Sequence, residues 1–186
     1  MTSDWQPTAI DRVWLRHGLS VTDERGSFSE LWRASVTHSL GGASMAQANL
    51  SRSHAGVLRG MHVHLRQDDV WVVLDGRACA AMTDLRGLLD GAAGAAPSAV
   101  FELRPGDALY IPARVAHGFL AIDELTLVYL VSNEYDGNDE LGFAWDDADA
   151  AIAWPATPRV VSGRDRANPS LADLVARLRQ GRADSR

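Results

Sequence analysis

The segment GVLRGMHVHLRQDDVWVVLDG, Gly56 to Gly76, sets His62 and His64 one residue apart and follows them with Asp69. Two imidazoles and a carboxylate can hold a divalent metal ion, or one histidine can work alone as a proton-transfer base. At any single histidine the two chemistries exclude each other, because a lone pair given to a metal is not free to take a proton. Residues two apart on a strand point to the same face, so both histidines would face one interior.

The elements that must position them read as strands. Short apolar runs punctuated by turn signals dominate from residue 20 to residue 132, which predicts an all-β barrel or sandwich. VWVVL, Asp75-Gly76 and RACAAM read as a hairpin, since Asp-Gly suits a tight turn with positive φ. VFEL, RPGD and ALYIP give another strand, turn and strand, and HGFLAI and LTLVYLV supply two more. GLLDGAAGAAPSA, residues 87–99, reads as a mobile loop at a barrel end. In SLADLVARLRQ, Leu171, Leu174, Val175 and Leu178 share a face behind a Ser170/Asp173 start signal. A short amphipathic helix is therefore expected over about 170–180, packed outside the barrel. With no internal repeat, residues 1–186 are expected to form a single domain with its barrel core over about 20–135.

Composition narrows the chemistry. A chain of 186 residues, 46% hydrophobic, can bury one good core. A net charge of −6 without a basic stripe argues against a nucleic-acid partner and leaves a small anionic ligand open. All 18 basic residues are arginine. The absence of lysine excludes a Schiff base, a pyridoxal phosphate linkage and a P-loop, so positive charge in a site must come from arginine, histidinium or metal. The lone Cys79 allows no internal disulfide, and no N-terminal apolar segment resembles a signal peptide or membrane span, so a soluble cytoplasmic protein with no membrane partner is expected.

GVLRGMH, PARVAHGF, WDDADAAIAWP and SGRD, in that order, with DERGSFSELW and QANLSRS upstream, resemble the dTDP-4-dehydrorhamnose 3,5-epimerase family from about Asp23 to Asp165. That family is a branch of the cupin jelly-roll barrels. The resemblance implies a cupin β-barrel with a short C-terminal helix, assembled as a homodimer. It also implies epimerisation of a nucleotide-linked, dTDP-type 4-keto-6-deoxyhexose at C3, C5 or both, without a cofactor. The chemistry is that of a hydrogen made acidic by a neighbouring ketone: inversion needs a base on one ring face, an acid on the other and a stabiliser for the enolate. Carried onto this chain, the resemblance makes His62 the base, Asp165 the carboxylate that orients it and Tyr129 the opposing acid. Arg59 would contact the sugar-phosphate region, His117 would line the pocket, and Gln47, Asn49 and Tyr135 would contact ligand. Arg25, Phe28 and Glu30 match the nucleotide-binding segment, which in such dimers comes partly from the neighbouring subunit.

The chain departs from the family at Asp69, where a lysine usually helps to hold the oxygen that becomes the enolate. A carboxylate there is repulsive, and Arg59, aided by a protonated or hydrogen-bonding His117, is the expected substitute. The wider cupin superfamily offers a second reading. Gly56, His62, His64, Asp69 and Gly76, then Gly106, Pro112 and His117, reproduce the spacing of its metal-binding members, with Arg114 where glycine is usual. On that resemblance His62, His64, Asp69 and His117 would hold a divalent transition metal in an isomerase, lyase or oxygenase. A third reading is a sugar-nucleotide binding module without turnover.

Overall fold

The computed structural model describes residues 5–18 and 20–183. Its strands in chain order are β1 (Trp5–Pro7), β2 (Trp14–Arg16), β3 (Val21–Asp23), β4 (Gly26–Phe28), β5 (Gln47–Ser53), β6 (Val57–Val63) and β7 (Asp69–Asp75). There follow β8 (Ala78–Asp84), β9 (Ser98–Leu103), β10 (Ala108–Ile111), β11 (Val115–Ala121), β12 (Leu125–Val131), β13 (Leu141–Gly142) and β14 (Val160–Val161). Among the described residues the helices are α1 (Ala34–Ser39), α2 (Arg86–Leu89), α3 (Gly163–Arg166) and α4 (Leu171–Ala183).

Two sheets face each other as a jelly roll. One runs β1-β2-β10-β7-β12-β5, the other β13-β6-β11-β8-β9 with β14 added in parallel to β6. The barrel therefore begins at Trp5 rather than near residue 20, and it ends beyond residue 135. The expected hairpin across Asp75-Gly76 is not formed, because β7 and β8 lie in different sheets. Gly76 does take φ +76°, and a Cβ there would stand 2.0 Å from the Glu124 carbonyl oxygen, so the turn needs glycine. It carries the chain from one sheet to the other: turn chemistry reports a reversal but not which strand pairs next.

Inward-facing residues alternate along the strands, as a pleated sheet requires. Trp71 and Val73, Ala80 and Met82, Leu109 and Ile111, Phe119 and Leu127 meet between the sheets as one buried cluster. Toward one end of the barrel polar residues take over the same alternating positions, and that is where the site lies. On the outer face of the second sheet, α4 buries Leu171, Leu174 and Val175 against Met61, Val63 and Ala81. Its start is the expected one, with the Asp173 N–H donating to Ser170 Oγ at 3.1 Å. The Gly/Ala-rich segment differs from the expected mobile loop: it opens with α2, buries Leu89 and Ala96, and Leu88 and Ala92 accept hydrogen bonds from Arg179 of α4.

Candidate active site

A cavity of about 770 Å³ opens between the two sheets. Its chemistry depends on an irregularity in β6. His62 pairs with His117 of β11 while Arg59 pairs with Phe119, so three residue steps on β6 oppose two on β11. This bulge keeps Arg59 and His62 on the cavity side although strict alternation would separate them. Two glycines make it feasible. Gly60 sits at φ +131°, and a Cβ on it would come within 2.6 Å of the Gly118 Cα. A Cβ on Gly118 would in turn stand 2.8 Å from the Arg59 carbonyl oxygen.

His62 Nε2 lies 2.8 Å from Asp165 Oδ1. Asp165 is buried in α3, where Ser162 Oγ accepts its N–H, and its other oxygen accepts the Gly60 N–H at 3.2 Å. Burial pushes the Asp165 carboxyl up, but the hydrogen bond and charge of His62 and the bonds from Gly60 and Ser162 hold it below the usual carboxylate range. An ionised Asp165 fixes the Nε2–H tautomer of His62 and leaves Nδ1 as the lone-pair nitrogen. Tyr129 reaches the cavity from β12, in the opposite sheet. Burial, with the nearby Asp69 charge, pushes its phenol up, so the hydroxyl keeps its proton.

A second polar group sits deeper. His64, Asp69 and His117 each offer a ligand atom within 4.8 Å of the others. His62 is not among them, so the four-residue set expected for a metal divides: three converge and the fourth turns to Asp165. Asp69 is 3% exposed; its oxygens accept from Gln67 Nε2 at 2.8 Å and Trp71 Nε1 at 3.2 Å. Burial pushes its carboxyl up despite these bonds. Burial likewise drives His117 well below the ordinary imidazole value, and its Nδ1–H is spent on the Val115 carbonyl at 3.0 Å. His117 therefore offers the cavity neither a positive charge nor an N–H, which removes it as the expected partner for an enolate. Arg114 takes φ +68° at the position where the metal-cupin pattern has glycine, held by Asp90 at 2.7 Å, and its N–H donates to the His64 carbonyl.

The remaining expected residues divide by location. Arg59 lines the cavity, with its Nε donating to Ser53 Oγ at 3.0 Å. Gln47, Asn49 and Tyr135 line it too; Gln47 donates to Asn49 Oδ1 at 2.7 Å and accepts the Tyr135 N–H at 3.1 Å. Arg25, Phe28 and Glu30 do not. They belong to the β3–β4 hairpin and the segment after it, a two-stranded sheet apart from the barrel, where Arg25 pairs with Asp23 and Glu30 with Arg33. Sequence reasoning missed the Arg164–Glu140 pair, 2.8 Å apart at the cavity wall, although Arg164 stands in the SGRD motif beside Asp165. It also missed Asp139, whose carbonyl accepts His64 Nδ1 at 2.9 Å and whose buried carboxylate accepts the Leu65 and Arg66 N–H groups.

Fold and site together define a cupin-type barrel whose cavity is equipped for proton transfer on a small ligand. The family model for dTDP-4-dehydrorhamnose 3,5-epimerase matches residues 7–173, and the chain belongs to that family. It is 34% identical to the dTDP-4-dehydrorhamnose 3,5-epimerase of Streptomyces griseus, over 92% of this chain and 88% of that one. It is 30% identical to a dTDP-4-dehydro-6-deoxyglucose 3-epimerase of a Streptomyces species, over 89% and 88%. Among solved structures, a dTDP-6-deoxy-D-glucose-3,5-epimerase of Legionella pneumophila in complex with dTDP-4-keto-L-rhamnose superposes with a TM-score of 0.83 at 28% identity, covering 94% of this chain and 95% of that one.

Proposed function

We propose that the chain epimerises a dTDP-type nucleotide-linked 4-keto-6-deoxyhexose, with His62 as base, Asp165 orienting it and Tyr129 as acid. The observation that carries this reading is the placement of His62, held 2.8 Å from Asp165, and Tyr129 on opposite sheets of one cavity. A sugar ring between them would meet the base on one face and the acid on the other. His62 removes the proton next to the ketone, the carbanion delocalises onto the ketone oxygen, and Tyr129 returns a proton from the opposite side. Arg59, the arginine beside the bulge, is the cation we assign to the sugar-phosphate end and the developing oxyanion. Neither proton transfer calls for an organic cofactor. Relatives that invert C3 alone and relatives that invert both carbons match this chain comparably, so the number of centres inverted is left to experiment.

We also assign a homodimer acting in the cytoplasm. Val21 and Phe28, paired across the β3–β4 hairpin, are 72% and 73% exposed, an apolar surface suited to a second copy. The buried free Cys79 and the lack, among the described residues, of a helix long and apolar enough to cross a membrane agree with that location.

The test is exchange of the C3 and C5 hydrogens of 4-keto sugar nucleotides with deuterated solvent. His62→Ala should abolish exchange, and Asp165→Asn should slow it by roughly 10²–10⁴-fold, the scale of a lost general base. Tyr129→Phe should retain part of the exchange but block inversion. Undiminished exchange in the His62 variant would sink the assignment. Tight binding of dTDP with no exchange on any 4-keto sugar would make the chain a binding module instead.

A further inference from the structure

We infer that His64, Asp69 and His117 form a binding site for one divalent transition-metal ion, beside the His62–Asp165 pair and sharing its cavity. The first ground is convergence: two imidazoles and one carboxylate, from the residue after β6 and from β11 and β7, bring their ligand atoms within 4.8 Å of one another. A chain without lysine thus gathers three electron-pair donors at one point of the cavity, two of them buried.

The second ground is orientation. A backbone carbonyl can only accept, so His64 Nδ1, 2.9 Å from the Asp139 oxygen, carries the hydrogen, and so does His117 Nδ1, 3.0 Å from the Val115 oxygen. Each ring is left with Nε2 as its lone-pair nitrogen, and His117 Nε2 lies 3.8 Å from Asp69 Oδ2. Metal-bound histidines are held in this way, with the far N–H given to a carbonyl or carboxylate. The carboxylate is aimed as well, by the Trp71 and Gln67 N–H groups. Among the described residues no arginine makes an ion pair with Asp69; histidine is its only such partner. Three electron-pair donors facing one another are a ligand set that a divalent ion would hold together.

The third ground is access. His64, Asp69 and His117 all line the cavity, so an ion on them would keep coordination positions open toward a bound molecule. Two nitrogens and one oxygen suit zinc, manganese, iron(II), cobalt or nickel better than calcium or magnesium. Binding of the ion does not depend on the epimerase reading. Its use does: if that reading holds, the ion places positive charge where the enolate oxygen forms, the place at which this chain has Asp69.

The experiment uses the full chain, purified without an affinity tag, stripped by chelator and titrated with cobalt(II) and zinc. Visible absorption and calorimetry should report one ion per chain, and His64→Ala and Asp69→Asn should each weaken binding by at least about tenfold, since loss of an outer partner alone costs about 10–100-fold. Gln67→Ala, at a half-buried positioning residue, should weaken binding less while circular dichroism shows the fold intact. His62→Asn should leave affinity unchanged. No binding of cobalt, zinc or manganese by the wild-type chain would overturn the proposal, as would binding that survives Asp69→Asn or that is lost in His62→Asn. Solvent exchange on the metal-loaded protein, wild type against His62→Ala, tests the His62 reading, and the titration tests the site, so failure of either claim is seen separately.

Discussion

The cavity and the β3–β4 hairpin hold the two parts of the expected substrate site, and they are built in opposite ways. In the cavity, the proposed catalytic pair is held from far along the chain: His62 and Asp165 are 103 residues apart, Gly60 and Asp165 105. In and beside the hairpin they are held locally, Arg25 by Asp23 two residues away and Arg33 by Glu30 three away. A long-range contact cannot form until the fold has formed, so it is as fixed as the barrel. A local pair fixes only itself, and exposed pairs of that kind contribute little to stability. The contacts that fix His62 are thus made within one chain, whereas the hairpin presents Val21 and Phe28 to whatever lies outside it.

The sharpest way to break this comparison is to damage the geometry of the cavity without touching a polar group. Gly118→Ala inserts a methyl 2.8 Å from the Arg59 carbonyl oxygen, 2.9 Å from Met61 Sδ and 3.1 Å from the Gly60 Cα. Backbone atoms on two sides cannot yield cheaply. Overpacking of this kind should cost about 1–3 kcal/mol in urea denaturation. Because the methyl pushes on the bulge itself, turnover should fall by roughly 10²-fold, the scale of a 1 Å misplacement. Full activity at wild-type stability would mean that the β6–β11 bulge does not set the geometry of Arg59 and His62.

That bulge also marks what the sequence could and could not tell. The alternation His62-x-His64 was legible, because period two is a local property of a strand. So were the short apolar runs, the Ser170/Asp173 start of α4 and its buried face. The pairing of β7 with β10 and β12 rather than with β8 was not, since an Asp-Gly turn looks the same whether it closes a hairpin or crosses between sheets. Nothing in the two-residue spacing of His62, within β6, and His64, just past its end, says that one turns to Asp165 and the other toward Asp69. That separation is made by partners in α3 and in the loop at Asp139, contacts that only the folded chain creates.

A smaller effect separates a half-buried local pair from an exposed one by pH. Asp84, at the end of β8, is half-buried, which pushes its carboxyl up, but the guanidinium fork and N–H of Arg86 outweigh this and hold it below the usual range. A folded-state value below the unfolded one, about 3.9, gives stability that is present above that pH and lost as pH falls through the folded value. Asp84→Asn should therefore cost about 1–2 kcal/mol in thermal or urea unfolding at pH 7, the scale of a partly shielded charged hydrogen bond. The difference from wild type should narrow as pH falls below the unfolded value and close once it is below the folded one. Asp23→Asn in the hairpin, whose pair with Arg25 is fully exposed, should change neither stability nor its pH dependence measurably. Equal sensitivity of the two variants would mean that burial does not decide what a local pair contributes.

The smallest effect on the monomer is expected at Phe28, and it is the one that sharpens the comparison most. Its ring is 73% exposed on a two-stranded sheet outside both barrel sheets, so removing it uncovers no core. Phe28→Ser should change the stability of the isolated chain by no more than about 0.5 kcal/mol, as surface substitutions do. If the hairpin is covered by a second copy, the same change should shift sedimentation from dimer toward monomer and weaken dTDP binding, while His62 variants leave the dimer intact. A compact wild-type monomer at micromolar concentration would remove the dimer. A dimer that survives Phe28→Ser with unchanged nucleotide affinity would place the interface elsewhere on the barrel and leave the hairpin with no part in the site.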